Sequence, residues 1–220
     1  YAQSVRSSVL AQPLVSIMYL GGVASLADAL DSVQLQTYPH IELIVAGVGF
    51  LDPSDGNGNL SHWREGRFPP RLLRLDGIES LAERANRAME RALGDWLVLL
   101  GEGDSLEPDH IAKMMARAAG SGTTTSYCAG VRKGEALELY REEEAWRLPP
   151  EPRLPFAYAT MPLCAGFFPN SLIKEGCRFN TELDDDLAIW EFWVQLACKS
   201  TWVVSSELTT RHQERIQMGS

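Results

Sequence analysis

Positive charge is what this sequence has too little of: 20 lysines and arginines stand against 29 aspartates and glutamates, a formal net charge of −9 over 220 residues. That balance repels a phosphate backbone, and no basic stripe with interleaved aromatics overrides it, so nucleic acid is excluded as the expected partner. An anionic nucleotide would need a local cationic patch or a divalent ion. Cysteine is scarce as well. Cys128, Cys164, Cys177 and Cys198 lack any C-x-x-C spacing, which leaves reduced core thiols rather than a zinc site or a disulfide framework. No run approaches the ~20 consecutive apolar residues of a membrane span. No G-x-G-x-x-G or phosphate-loop pattern follows any apolar run, which argues against a dinucleotide-binding or P-loop protein.

What is present is an ordinary globular composition, 45% hydrophobic and 22% charged, in a chain long enough to bury a full core as one domain. Pro13 to Leu20 reads as a buried strand stopped by Gly21-Gly22, Val23 to Gln36 as a helix, and Ile41 to Val45 as a second strand. This is a βαβ unit with the usual right-handed crossover. Leu51 to Pro70 is dense in Gly, Asn, Asp and Pro and predicts a long loop. Arg71 to Leu75 predicts a short strand, Ile78 to Leu93 a helix and Asp95 to Leu100 a third buried strand, followed by a helix over Asp109 to Ala119. Ser126 to Val131 and Leu137 to Tyr140 predict a hairpin, Arg141 to Pro155 a solvated excursion, and Met161 to Pro169 a strand. Ser171 to Glu175 and Asp184 to Lys199 predict helices, and Trp202 to Ser205 a last strand.

The chemistry is concentrated where an apolar strand stops, at Leu100-Gly101-Glu102-Gly103-Asp104. Ligands of open α/β sheets sit beyond the carboxyl ends of the strands. Residues two apart on a strand or tight turn share one side, so Glu102 and Asp104 form an acid-x-acid pair able to hold one cation; a solvated turn is the alternative.

The order of motifs resembles the family-2 glycosyltransferases, which have the GT-A fold. Pro13-Leu14-Val15-Ser16-Ile17 is similar to their opening strand, and Ser32-Val33-Gln34-Leu35-Gln36-Thr37-Tyr38 to a segment that follows it. Glu42-Leu43-Ile44-Val45, Ala85-Asn86, Ala92-Leu93-Gly94-Asp95-Trp96 and Leu106-Glu107-Pro108 continue the resemblance, which runs from about Pro13 to His212. It implies a Rossmann-like, mostly parallel central sheet flanked by helices, with a small antiparallel C-terminal part. It divides the chain into a nucleotide-sugar-binding half over 13–119 and an acceptor half over 120–212. The implied partners are a UDP- or GDP-linked sugar and a glycan or other hydroxyl acceptor. The implied cofactor is Mg2+ or Mn2+, neutralising the diphosphate as the leaving group departs.

The acidic motifs that such a family needs are altered. Gly47-Val48-Gly49-Phe50 stands where an Asp-Asp-Gly-Ser turn would contact base and ribose, with Asp52 and Asp55 nearby. Gly101-Glu102-Gly103-Asp104 stands where an Asp-x-Asp-Asp motif would serve ribose and metal. Ala188-Ile189 stands where a Glu-Asp pair would supply the base, leaving Glu191 and Asp186 as substitutes. The run Asp184-Asp185-Asp186 also suits a helix cap. Arg211-His212 resembles the family's late segment that reaches diphosphate or metal. The expected binding set is therefore Gly47, Gly49, Asn86, Glu102, Arg211 and His212, with Glu102 and Asp104 on the metal and Glu191 or Asp186 as base. Trp63, Trp190 and Trp193 are candidates for stacking on sugar or base, or for core packing.

Two readings follow: an active transferase, and an inactive GT-A scaffold serving as a binding or assembly module. In either case the sequence, running from Tyr1 to Ser220, is expected to belong to a larger glycosyltransferase chain. Its expected location is cytoplasmic, at the membrane face through parts outside this sequence.

Overall fold

A computed structural model describes residues 12–47, 60–75, 80–119, 125–133 and 161–212. The first strand, β1 (Val15–Tyr19), is buried along its whole length. It is followed by a 3-10 turn (Val23–Ser25) and α1 (Leu26–Gln34). Then come β2 (Ile41–Val45), a short α2 (Ser61–Arg64), β3 (Pro70–Leu72), α3 (Leu81–Arg91) and β4 (Trp96–Leu100). β5 (Asp104–Leu106), α4 (His110–Ala118) and β6 (Thr125–Lys133) follow. The chain continues through β7 (Gly166–Pro169), α5 (Ser171–Lys174), α6 (Asp185–Lys199) and β8 (Thr201–His212).

All eight described strands join one sheet in the order β3-β2-β1-β4-β7-β6-β8-β5. β3, β2, β1 and β4 run parallel, in register from Val15 opposite Ile41 and Trp96 through Tyr19 opposite Val45 and Leu100. Apolar runs such as Trp96–Leu100 read as continuous because parallel strands are covered on both faces. β7 turns the sheet antiparallel against β4 and β6, while β6 and β8 run parallel and β5 pairs antiparallel with β8. The mixed α/β architecture expected from the sequence is therefore present.

Several expectations change in detail, among them Met161 to Pro169, which is a 3-10 turn over Leu163–Ala165 followed by β7 rather than one strand. The stretch read as a loop to Pro70 contains α2, and Leu60 and Phe68 are buried there. The last strand extends to His212 rather than Ser205, because β6 on one side and β5 on the other satisfy the backbone of its polar second half. Residues 126–131 fall within β6, whose described neighbours are β7 and β8; the 137–140 half of the expected hairpin lies outside the described residues.

The segment resembling a family signature after α1 is a structural latch. Ser32 Oγ donates to Ala29 O at 2.7 Å and accepts from Leu106 N at 3.1 Å. Gln36 is fully buried; its amide donates to Glu107 O at 2.8 Å and accepts from Ile111 N at 3.1 Å. Tyr38 Oη donates to Pro13 O at 2.6 Å. These bonds fix α1 to β5 and α4, and so set the height of the β4–β5 turn.

On the other side of β4 an aromatic cluster fills the core. Trp96 stacks on Phe167 at 4.8 Å, and Trp193 meets Phe168 edge-on at 6.0 Å. Trp193 Nε1 donates to Met161 O at 3.0 Å, so its one polar atom is satisfied. Gly166 is required here: a Cβ on it would lie 2.4 Å from the Trp193 ring. Cys164 and Cys177 are buried thiols outside any disulfide, and Cys198 is an exposed one.

Candidate functional site

The carboxyl ends of β1, β2 and β4 lie side by side, since Tyr19 is in register with both Val45 and Leu100. The pairing extends one residue further, with Leu20 N donating to Leu100 O at 2.8 Å and Ala46 N to Tyr19 O at 2.9 Å. Beyond these bonds the chain reaches glycines: Gly21-Gly22 after β1, Gly47 after β2, and Gly101 and Gly103 after β4.

The turns after β1 and β4 touch. A Cβ on Gly21 would lie 2.6 Å from the Tyr19 hydroxyl and 2.9 Å from Glu102 Cα, so no larger residue fits. The Glu102 carboxylate lies over Gly22, with Oε2 3.6 Å from where a Cβ would stand. Beneath it Tyr19 Oη donates to Gly22 O at 2.6 Å and lies 2.8 Å from Ser25 Oγ. Burial pushes the Tyr19 phenol up to about 12 against the lowering effect of Ser25, with the Glu102, Asp104 and Asp28 carboxylates adding to the rise. The phenol is therefore a permanent neutral donor that ties strand to turn.

Asp104 points elsewhere. Its Oδ2 accepts from Gly101 N at 2.7 Å, its Oδ1 lies 2.7 Å from His212 Nδ1, and the residue is 2% exposed. Gly101 makes room for this, since a Cβ there would stand 3.3 Å from Asp104 Oδ2 and 3.4 Å from Leu163 Cδ1. Gly103 has φ of 78°, a left-handed conformation that glycine adopts without strain. The sequence puts Glu102 and Asp104 in one acid-x-acid pair; the structure gives the two carboxylates different partners. Among the described residues no group of three or more His, Cys, Asp or Glu is placed to hold a metal ion.

The other expected site residues separate by position. His212 pairs opposite Asp104 and Arg211 opposite Ser105 across β5 and β8. Neighbouring strand residues face opposite sides of a sheet, so His212 reaches the β4 tip while Arg211 Nε bonds Glu107 Oε1 at 2.8 Å. The two do not act together on one group. Asn86, expected to touch a ligand, spends its amide on the backbone of Phe179: Nδ2 donates to Phe179 O and Oδ1 accepts from Phe179 N, both at 2.9 Å. It locks α3 to the segment leading into α6.

On α6 the aspartate run caps the helix, with Asp184 Oδ1 accepting from Leu187 N at 3.0 Å. Asp185 and Asp186 follow, exposed in the first turn, where the helix dipole favours anions. Glu191 accepts from Gln195 Nε2 at 2.7 Å, and that amide also bonds both the N and O of Arg178. Trp193 belongs to the core, and Trp63 Nε1 donates to Asp31 Oδ1 at 2.7 Å. Gly49, Asp52 and Asp55 lie outside the described residues.

One residue at the site was missed in the sequence. Arg84, on α3, donates from Nη2 to Leu20 O at 3.2 Å, which brings a guanidinium to the tip of β1. Burial lowers its pKa from the ordinary arginine value, and Asp185 in the first turn of α6 opposes that shift; an arginine remains a cation throughout. Arg84 thus sits at the β1 tip, within the electrostatic reach of Asp185. Its only sequence signal is a long cation bordering the stripe of Ala82, Ala85, Ala88 and Met89 that α3 buries.

The fold has known counterparts. No protein-family model matches the chain. The structure superposes on Staphylococcus aureus TarS 1-349 in complex with UDP with a TM-score of 0.73 at 12% identity, covering 91% of this chain and 60% of that one. It superposes on the mannosyltransferase PcManGT from Pyrobaculum calidifontis, in complex with GDP-Man and Mn2+, with a TM-score of 0.67 at 14% identity, covering 94% of this chain and 58% of that one. The fold is that of the GT-A glycosyltransferases. In sequence, the chain is 31% identical over 115 residues to a PGL/p-HBAD biosynthesis glycosyltransferase of Mycobacterium bovis, and equally to that of Mycobacterium tuberculosis. The match takes in 49% of this chain and 42% of the relative, so the chain spans under half the length of the curated relatives it matches. Among the described residues no helix is long and apolar enough to cross a membrane.

Proposed function

We propose that this chain is the nucleotide-sugar-binding part of a glycosyltransferase. It moves a glycosyl group from a UDP- or GDP-linked donor to a hydroxyl of a glycan or other alcohol. The observation that carries this reading is the glycine-lined edge that Gly21-Gly22, Gly47 and Gly101 to Gly103 give to the ends of three parallel strands, in a fold shared with proteins solved with UDP and GDP-Man. Ligands of such sheets settle at this edge, and side-chain-free turns let a flat base and ribose approach the backbone.

Glu102, lying over Gly22, is placed to accept hydrogen bonds from ribose hydroxyls. Asp186, exposed in the first turn of α6, is the base that takes the proton of the acceptor hydroxyl. Glu191 is second to it, because its carboxylate is already bonded to Gln195. His212, held by Asp104, borders the same edge. Mg2+ or Mn2+ is the cation to test, since one similar structure contains Mn2+ with its donor. The acceptor is a separate hydroxyl-bearing molecule, and we read this chain as part of a larger glycosyltransferase.

Thermal melting with UDP and with GDP, each with and without Mn2+, tests the reading. A ligand that binds only the folded state stabilises it by about 2.7 kcal/mol at a hundredfold excess over its Kd, so the midpoint should rise for one of the two nucleotides. A midpoint unmoved by both at millimolar concentration rejects it and favours a scaffold without donor binding.

A further inference from the structure

We propose that this site binds the donor diphosphate without a divalent cation, the positive charge being supplied by the guanidinium of Arg84. The inference rests on the nucleotide-sugar reading of the strand tips and concerns how the diphosphate is neutralised there.

The residues at the β4 tip do not fit a Mg2+ or Mn2+ ion. Both oxygens of Asp104 are engaged, one by Gly101 N and one by His212 Nδ1, and the side chain is almost fully buried. Freeing it for a cation would leave a buried amide without a partner. Gly101 offers no carboxylate, and the space its side chain would enter is filled by Asp104 and Leu163. Gly103 offers none either, and its φ of 78° makes a side chain there strained. Glu102 is left as one carboxylate over Gly22. Among the described residues the tip offers an ion Glu102 and the His212 ring, with no third His, Cys, Asp or Glu placed to complete a set, so an ion there would be held chiefly by the substrate phosphates and water, and the protein's own charge must come from elsewhere.

The charge has to come from somewhere, because a diphosphate is being brought to a chain of net charge −9. Arg84 is the cation at the right place. It is fixed to the carbonyl of Leu20, the residue before Gly21-Gly22. Its planar fork carries several N–H donors in a geometry that matches phosphate oxygens, and it is charged at any working pH. Partial burial strengthens its attraction for a dianion by lowering the local dielectric. The stripe of Ala82, Ala85 and Ala88 lets α3 lie close to β1, which is what brings a helix-borne arginine to a strand tip.

Calorimetric titration of UDP or GDP, whichever raises the melting midpoint, in EDTA and again in excess Mn2+ tests the inference on the protein as it stands. Affinity should agree within about threefold between the two buffers, and Arg84→Gln should lose about tenfold or more of it in both. Arg84→Lys, which keeps the charge without the fork, should fall between the two. Circular dichroism and the ligand-free midpoint of each variant separate lost binding from lost folding. Were Arg84→Gln not to fold, the EDTA comparison on the unaltered protein still decides the cation question. Binding that needs Mn2+, or an Arg84→Gln variant that folds and binds as tightly as the parent, overturns the inference while leaving the nucleotide reading intact. Binding of neither nucleotide in either buffer removes both.

Discussion

The two ends of the parallel strands are built on opposite plans. At the foot, where β1 and β4 begin, side chains are spent on backbone. Ser16 Oγ accepts from Gly94 N at 2.8 Å, Glu42 accepts from Leu93 N at 2.9 Å, Asn170 Nδ2 donates to Gly94 O at 2.8 Å, and Asp95 accepts from Leu14 N at 3.2 Å. At the tip, where the same strands end, glycines replace side chains. Of the polar groups that remain, Glu102 and Tyr19 line a turn-to-turn contact, Arg84 bonds the Leu20 carbonyl, and Asp104 pairs with His212. The foot is closed by hydrogen bonds that leave little for a ligand. The tip is shaped by what is missing, and that is where a ligand has backbone to approach.

The sharpest way to break this contrast is to add one methyl at the foot. A Cβ on Gly94 would lie 2.6 Å from Ser16 N and 2.9 Å from Leu14 O, both backbone. Gly94→Ala should therefore cost about 3 kcal/mol, seen as a fall in the denaturant midpoint. An unchanged midpoint would mean that the foot is far looser than described. Gln36→Leu should come next, at about 2 kcal/mol, because it orphans the Ile111 amide in a buried place, while the Glu107 carbonyl keeps its bond from His110 N. Nucleotide affinity of whatever folds should stay as it was. If affinity falls in step with stability, latch and tip are one unit and the contrast fails.

Acid tests the same latch region. His110 is fully buried against Thr209 Oγ1 at 2.9 Å, and burial lowers its pKa from 6.5 to about 3, Asp109 opposing and Lys113 assisting. Below the ordinary value the unfolded chain takes up a proton that the folded chain refuses. The contribution is whole above pH 6.5 and is lost as pH falls toward about 3, with a slope of up to about 1.4 kcal/mol per pH unit. His110→Leu should flatten that slope in urea midpoints measured between pH 6.5 and 4.5; equal slopes would show that other groups cause it. The smallest effect is expected at the tip itself. Gly103→Ala should cost about 1 kcal/mol through its positive φ, and a stabilised variant would show that the turn is not left-handed in solution.

The sequence reading found the strands for a physical reason. Val15–Tyr19, Ile41–Val45 and Trp96–Leu100 are short, apolar and bounded by glycine or proline, so period and punctuation agree. It found only Trp202 to Ser205 of β8, because Ser206 to His212 looks like a polar tail until β6 and β5 are seen pairing with it. At the site, spacing in sequence carried Glu102 and Asp104 to one turn but not their partners. Asp104 is taken by an amide three residues back and by a histidine 108 residues on, and only the second of these depends on the fold. Arg211 and His212 are adjacent in the chain yet on opposite faces of a strand, which periodicity shows only once the strand is known to reach them. Arg84 had no motif to announce it; its place depends on how closely an alanine-faced helix lies against β1.

A crystal structure of the protein grown with UDP tests the central claim most directly. The account predicts the diphosphate against the turns at Gly21-Gly22 and Gly101 to Gly103, within hydrogen-bond reach of the Arg84 guanidinium. Nucleotide bound away from the ends of β1, β2 and β4, or strand tips left bare at millimolar UDP and GDP alike, would contradict it.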